Sequence, residues 1–129
     1  MRYKEIHRAL NKVILLGLTP VVAHVERYND VDEKGVPDLI NMGAYIQVNA
    51  ASVLKPKLIG DKHKHYKKRA KKYLDAELVH FIASDMHNID SRRTYMREAY
   101  NIIEEKYGPT IAYELFEKNQ EKLLMNKII

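Results

Sequence analysis

Three short apolar runs in this sequence are each followed by polar side chains, and longer segments with helical periodicity separate them. The runs begin at Pro20, at Ala44 and at Leu78, and they contain the β-branched and aromatic residues that favour strands. Strands that alternate with helices predict parallel βα units, in which functional side chains gather at the C-terminal ends of the strands. This pattern therefore predicts an α/β domain with about three parallel strands and flanking helices.

The segments around these runs have apolar residues at three- and four-residue spacing, which is typical of amphipathic helices. Gly17 is expected to end the first helix, and Gly108-Pro109 interrupts the helical pattern near the C-terminus. We expect Asp61 to cap a lysine-rich helix and Asn119 to cap a last short one. The predicted helices cover residues 6–14, 37–43, 61–74 and 96–107, with one or two more after residue 109.

The composition is that of one soluble globular domain, because 46% of the 129 residues are hydrophobic and 30% are charged. The absence of cysteine excludes disulfides, thiolate zinc sites and cysteine nucleophiles, and it fits a reducing cytoplasm. No apolar stretch approaches the roughly 20 residues needed to span a bilayer, and the N-terminus does not resemble a signal peptide. We therefore expect a cytoplasmic protein without membrane insertion, in which histidines and carboxylates carry any metal chemistry.

The formal net charge of +5 raises the question of an acidic partner. The most basic segment, residues 61–72, carries seven lysine or arginine residues, and nucleic-acid backbones are one class of partner for such a run. The apolar residues embedded in it favour a solvated helix face instead, so we expect no nucleic-acid partner. His63 and His65 would project to nearly opposite sides of that helix, which makes them a poor metal pair unless the segment is extended.

A candidate metal site comes from the residues after the first and third runs. Asp85 and His87 stand two positions apart, so in an extended segment their side chains point to one side and can share an ion. His24 follows the first run at the same predicted edge and could join them. Imidazole and carboxylate ligands suit manganese, iron or zinc, and a divalent ion makes water a nucleophile near neutral pH. The alternative is an ordinary strand-end histidine and an Asp-x-His pattern that arose by chance.

Candidate phosphate-binding residues flank this site. Arg27 and Arg92 lie just beyond the two clusters, and each guanidinium offers a planar fork of donors suited to phosphate oxygens. Asn49 ends the second predicted strand at the same edge and could donate a hydrogen bond to substrate. The alternatives are ordinary surface arginines and an asparagine that closes a turn.

Three motifs in order carry a family resemblance: Ala-His-Val-Glu-Arg-Tyr at residues 23–28, Tyr-Ile-Gln-Val-Asn-Ala at 45–50 and Ile-Ala-Ser-Asp-Met-His-Asn at 82–88. The chain resembles the bacterial metal-dependent protein-tyrosine phosphatases of the PHP (polymerase and histidinol phosphatase) superfamily, the type associated with capsular polysaccharide synthesis. The resemblance implies a distorted (β/α)7 TIM-like barrel with a cluster of divalent ions, usually manganese. It also implies that metal-activated water hydrolyses phosphotyrosine on the C-terminal tail of a capsule or exopolysaccharide tyrosine kinase.

The resemblance also implies roles for particular residues. His24, Asp85 and His87 match metal ligands of that family, while Arg27 and Arg92 match catalytic arginines that hold the phosphate. The chain departs from the family pattern at Val25 and Ala51, where proline and glycine are usual.

The family's N-terminal half, which carries a His-x-His motif on its first strand, has no counterpart here. Residues 1–129 are therefore predicted to form a single partial PHP domain, the C-terminal half of the barrel. Such a half could be an impaired phosphatase that binds metal weakly, or it could pair with a second copy through open sheet edges. Two alternatives stay open: a non-catalytic fragment that binds a kinase tail or acidic partner, and a phosphatase that acts on a small phosphate ester.

Overall fold

The computed structural model describes residues 2–85 and 95–129. The helices and strands alternate from the N-terminus, and a mainly helical segment completes the chain. The elements are α1 (Tyr3–Leu15), β1 (Val21–Val22), a 3-10 turn (Val25–Arg27), α2 (Gly35–Asn41), β2 (Tyr45–Asn49), a second 3-10 turn (Ala50–Val53), α3 (Lys64–Asp75), β3 (Phe81–Ala83), α4 (Met96–Tyr107), α5 (Pro109–Tyr113), a π-helical turn (Glu114–Lys118) and α6 (Asn119–Leu124).

The three strands form one parallel sheet in the order β1-β2-β3. The central strand β2 pairs its first residues with β1 and its last residues with β3, so that Val22 lies opposite Ile46 and Ala83 lies opposite Asn49. Because the strands are parallel, their C-terminal ends meet at one edge of the sheet. The prediction of an α/β fold with three parallel strands is confirmed.

The core lies on both faces of β2, whose residues Ile46 and Val48 are completely buried. One apolar cluster joins α1, α2 and the start of the sheet, and a second joins β3 to α4 and α5. Tyr73 of α3 belongs to the first cluster, and its hydroxyl donates a hydrogen bond to the Val31 carbonyl at 2.9 Å. Both faces of the small sheet are therefore covered, as parallel sheets require.

The helix ends agree with the sequence in some places and differ in others. Gly17 adopts a positive φ of 78° just after α1, as predicted for a helix-ending glycine. Asp61 does not cap α3, which begins at Lys64; its carboxylate accepts the backbone N–H groups of Lys57 and His63 in the preceding loop. Asn119 is not a cap either, because the chain is already helical before it and its amide donates to the His80 carbonyl at 2.8 Å.

The edge of the sheet at β1 is open in the part of the chain that the structure describes, since β1 pairs only with β2 there. Several large apolar residues just before β1 in the sequence, and one within it, are exposed. Leu15, Leu16 and Leu18 are 79%, 76% and 60% exposed, and Val21 of β1 itself is 40% exposed. Exposed apolar groups next to an unpaired strand are typical of a surface that another polypeptide covers. No helix within residues 2–85 and 95–129 is both long and apolar enough to cross a membrane.

Candidate functional site

Four of the predicted site residues lie at the C-terminal edge of the sheet. His24 follows β1 by two residues, Asn49 ends β2, and Asp85 follows β3 by two residues. Arg27 ends the 3-10 turn that comes directly after His24. The predicted ligand His87 and the predicted phosphate-binding Arg92 lie outside the described residues. The fold thus brings together side chains that are up to 61 positions apart in the sequence, from His24 to Asp85.

The backbone of His24 turns sharply into the site. Its φ of 40° and ψ of 52° lie in the left-handed region, which a residue with a Cβ atom rarely adopts. The backbone N–H of His24 donates to Oε1 of Gln47 at 2.5 Å, and its ring centroid lies 5.5 Å from that of Tyr28. Among the described residues, the buried Nδ1 atom of His24 has no hydrogen-bond partner. A side chain held in this way has a nitrogen atom available for a ligand.

Gln47 connects the ends of all three strands. It lies in the middle of β2 and is buried, with its amide nitrogen 3.2 Å from Oδ1 of Asn49 and 3.4 Å from the Ala83 carbonyl. Its amide oxygen accepts the His24 N–H described above, so one side chain ties β2 to the segments that follow β1 and β3. The sequence analysis missed Gln47, although a polar residue between Ile46 and Val48 of an apolar run is a signal for such a role.

Glu26 is the second residue that the sequence analysis missed. It is completely buried, and its Oε1 atom accepts the backbone N–H of Asn49 at 2.9 Å. Burial raises the pKa of this carboxyl to about 7, although hydrogen bonds from the Asn49 and Glu26 backbone and the nearby charge of Arg27 oppose the shift. On the other side, the Arg69 guanidinium donates to the Glu26 carbonyl at 3.0 Å. Glu26 therefore positions the turn that carries Arg27 against the end of β2.

Arg27 and Asp85 form an ion pair across the site, with Nη1 3.3 Å from Oδ2. Both side chains are partly exposed, and the guanidinium lies 5.8 Å from the ring centroid of Tyr66 in a cation–π arrangement. The Nε atom of Arg27 is buried and, within the described residues, has no hydrogen-bond partner; the same holds for Nδ2 of Asn49. Both atoms carry N–H donors, which suit an oxyanion.

The donor set fits a divalent metal ion in part. Within the described ranges there is no cluster of three or more histidine, cysteine or acidic side chains that could hold a metal. The unpartnered imidazole nitrogen of His24 and the carboxylate of Asp85 nevertheless lie at the same edge of the sheet. Nitrogen and carboxylate oxygen are the ligands preferred by manganese, iron and zinc. Two donors of the right chemistry are thus present, and buried polar atoms without partners are where an ion or ordered water is expected.

Comparison with known proteins relates the chain to a family. Residues 1–125 match a family model described as capsular polysaccharide synthesis, CpsB/CapC. The chain is 50% identical, over 98% of its length, to the tyrosine-protein phosphatase CpsB of Streptococcus pneumoniae. It is 35% identical, over 89% of its length, to the tyrosine-protein phosphatase YwqE of Bacillus subtilis.

The same relationship appears in three dimensions. A solved structure from work on YwqE of Bacillus subtilis and CpsB of Streptococcus pneumoniae, described as unique metal-dependent tyrosine phosphatases, covers the whole chain with a TM-score of 0.80 and 31% identity. The chain spans about half the length of these relatives, namely 53% of CpsB, 44% of YwqE and 50% of the solved chain.

Proposed function

Because the chain belongs to the CpsB/CapC family of capsular polysaccharide synthesis, we propose that it is one half of a metal-dependent protein-tyrosine phosphatase and carries its phosphate-binding edge. The observation that carries this proposal is the Arg27–Asp85 ion pair at the same end of the sheet as the His24 nitrogen that has no partner among residues 2–85 and 95–129. A cationic fork next to metal-type ligands is the arrangement that phosphoryl transfer requires, since that reaction depends mainly on positioning and charge stabilisation.

The metal would be held by His24, Asp85 and His87, and manganese is the ion that we propose, with iron or zinc as alternatives. When bound, a divalent ion supplies positive charge to the phosphoryl oxygens and makes water a better nucleophile near neutral pH. Gln47 and the left-handed backbone conformation fix the position of the His24 backbone, from which the imidazole extends. Asp85 would serve as a metal ligand while Arg27 contacts its Oδ2 atom.

The phosphate would be bound by Arg27, Arg92 and Asn49. Arg27 offers its buried Nε–H, and Asn49 offers the N–H groups of its buried amide, to the oxygens of the phosphotyrosine. Glu26 fixes the position of both residues, because its carboxylate binds the backbone of Asn49 while it immediately precedes Arg27 in the 3-10 turn. A small donor set that is held by a buried carboxylate needs little rearrangement when charge develops on the phosphate.

We propose that the substrate is a phosphotyrosine protein, namely the C-terminal tail of a bacterial tyrosine kinase of capsule or exopolysaccharide synthesis, and that the protein acts in the cytoplasm. The names of the family and of its relatives support a phosphotyrosine protein of capsule synthesis as the substrate. The second candidate function is a non-catalytic half barrel that binds such a tail without cleaving it. That alternative is favoured by the absence of a three-residue metal cluster within the described residues.

Metal content and phosphatase activity separate the two functions. The purified chain is incubated with manganese, freed of unbound metal and measured by elemental analysis, and a phosphotyrosine peptide is then assayed for phosphate release. We expect bound manganese and slow, manganese-dependent release, slower than that of the pneumococcal relative, because residues 1–129 span 53% of that relative's length. No bound metal together with no release would overturn the phosphatase proposal in favour of the binding function.

We also propose that two copies of the chain associate through the open β1 edge. The exposed leucines beside that edge provide an apolar surface. The outer side of β1, which pairs with no other described strand, provides backbone hydrogen-bonding groups. Pairing would cover both features at once.

A further inference from the structure

A groove lies between α3, α4 and the 3-10 turn Ala50–Val53. Its volume is about 440 Å³, which falls within the range of roughly 300–1,000 Å³ typical of ligand pockets. The deeper part is apolar, since Leu74 and Ile103 are buried and the other apolar lining residues, Val53, Leu54 and Ile102, are half-buried. The apolar lining residues are Val53, Leu54, Leu74, Ile102 and Ile103.

Lysine side chains surround this apolar floor. Lys67 is neutralised by Asp61 at 2.9 Å, and Lys106 is neutralised by Asp75 at 3.4 Å. The other four lysines of the groove are Lys55, Lys64, Lys68 and Lys71. In the part of the chain that the structure describes, these four form no ion pair, and all four are exposed. The groove therefore combines an apolar floor with an uncompensated positive rim. The lysines are Lys55, Lys64, Lys67, Lys68, Lys71 and Lys106.

The helix α3 separates this groove from the candidate phosphatase site. Four of the lysines stand at the spacing of one helix face, from Lys64 to Lys71. The opposite face points to the site, where Tyr66 stacks on the Arg27 guanidinium and Arg69 donates to the Glu26 carbonyl. The lysines are thus not part of the phosphate-binding edge, and that edge gives no reason for their number or position.

We propose that this lysine-lined groove is a docking site for an acidic peptide segment that carries a large apolar side chain. The charge of the rim selects Asp- and Glu-rich partners, and the apolar floor takes one aliphatic or aromatic side chain out of water. A purely acidic partner would make no use of the apolar floor, and a purely apolar ligand would make no use of the lysines on the rim. The inference does not depend on catalysis, because it uses none of the residues assigned to phosphate or metal.

The test is a binding measurement with three fluorescein-labelled peptides and the full chain. The first peptide has a Leu-Phe pair flanked by glutamates, the second has Ser-Ser in place of that pair, and the third has glutamines in place of the glutamates. We expect the first to bind at least about tenfold more tightly than either of the others, with an affinity that falls as salt is added. Equal binding of the first and second peptides, or no binding of the first at low salt, would overturn the proposal.

Variants locate the binding. The triple variant Lys64→Glu, Lys68→Glu, Lys71→Glu is expected to weaken binding of the first peptide by about tenfold or more. The matched control is the triple variant Lys4→Glu, Lys12→Glu, Lys127→Glu, which makes the same change of net charge at three exposed lysines outside the groove and should bind as the parent does. Equal loss in both variants would overturn the proposal, and so would lysine-dependent binding to phosphatidylserine vesicles without peptide binding. Ile102→Ser, with its fold checked by circular dichroism, should reduce the preference for Leu-Phe over Ser-Ser.

Discussion

Nη1 of Arg27 lies 3.3 Å from Oδ2 of Asp85, which joins the segments that follow the two outer strands across the end of the central one. The pair brings a phosphate-type donor and a metal-type ligand into direct contact. Each orients the other, since a guanidinium binds a carboxylate in a defined plane. The ion pair therefore holds the proposed phosphate-binding residue and the proposed metal ligand together in the protein without substrate.

Replacing Arg27 by lysine tests this link. Lysine keeps the charge but loses the planar fork, so the Nε–H donor is lost and the contact with Asp85 no longer has a defined plane. We expect manganese-dependent phosphate release from a phosphotyrosine peptide to fall by about a hundredfold, which is typical for the loss of one preorganised donor. The control is Arg97→Lys on the exposed surface of α4, which should keep the parent rate. A rate for Arg27→Lys within about twofold of the parent would remove Arg27 from the proposed site.

The backbone at His24 predicts opposite effects on stability and on metal binding. At its positive φ, a glycine is unstrained and an alanine is not. We expect the free energy of unfolding, measured in urea, to be about 1 kcal/mol higher for His24→Gly than for His24→Ala. Both variants should lose bound manganese by elemental analysis, since neither has an imidazole. Equal stability of the two variants would mean that His24 relaxes out of the left-handed region.

Substitution of Gln47 should destabilise the sheet. Gln47→Leu keeps the approximate volume but leaves the His24 N–H without its acceptor in a partly buried position. We expect the free energy of unfolding to fall by about 1–3 kcal/mol, the cost of such an unsatisfied group. Gln47→Glu keeps an acceptor for that N–H, but its carboxylate would repel the Asn49 and Ala83 oxygens. Urea unfolding of both variants measures the two contributions, and a neutral effect of Gln47→Leu would contradict the bridging role.

Acid should weaken the fold through His80. Its Nδ1 atom accepts the Ile46 N–H at 3.0 Å, and burial lowers its pKa from the ordinary 6.5. The unfolded chain therefore binds the proton more readily than the folded one does. Stabilisation by the neutral ring is complete above about pH 6.5 and decreases as the pH falls below that value. The raised pKa of Glu26, about 7, gives a slope of the opposite sign in the same pH range. The contribution of His80 is therefore measured as the difference in urea unfolding between the parent and His80→Asn at several pH values. We expect the parent to lose more stability than His80→Asn as the pH falls below about 6.5, because the Asn amide oxygen can replace Nδ1 as acceptor without titrating.

The open β1 edge predicts self-association. Sedimentation velocity should show dimers at high protein concentration, and Leu16→Glu with Leu18→Glu should yield monomers, because charge on that surface opposes its burial. Leu58→Glu with Ile59→Glu is the matched control, since both side chains are more than 90% exposed in the loop before α3. A parent chain that stays monomeric over a wide concentration range would refute association through this edge.

The order of the elements could be predicted from the sequence because each one depends on local periodicity. The parallel sheet then placed His24, Asn49 and Asp85 at one edge without further information. The strand lengths were less predictable: β1 has two residues, where the pattern indicated a run from Pro20 to His24. Backbone pairing, and not composition, decides where a strand ends.

The contacts inside the site could not be predicted in the same way. Glu26 looks like a surface acid in the sequence, but the turn Val25–Arg27 buries it beside the backbone of Asn49, 23 positions away. Asn119 has the composition of a helix cap, yet its amide satisfies the carbonyl of His80. Such roles depend on distant backbone groups that need a partner, and local propensity carries no information about them.

The brevity of β1 has a consequence for how the chain behaves in a crowded cell. Pro20 lies just before the strand and has no N–H, and the strand itself has only two residues. An edge this short is a poor template for the indiscriminate strand stacking that leads to fibrils. A polypeptide that binds at this edge must therefore be recognised mainly through side-chain contacts. The exposed apolar surface can then remain uncovered without promoting aggregation.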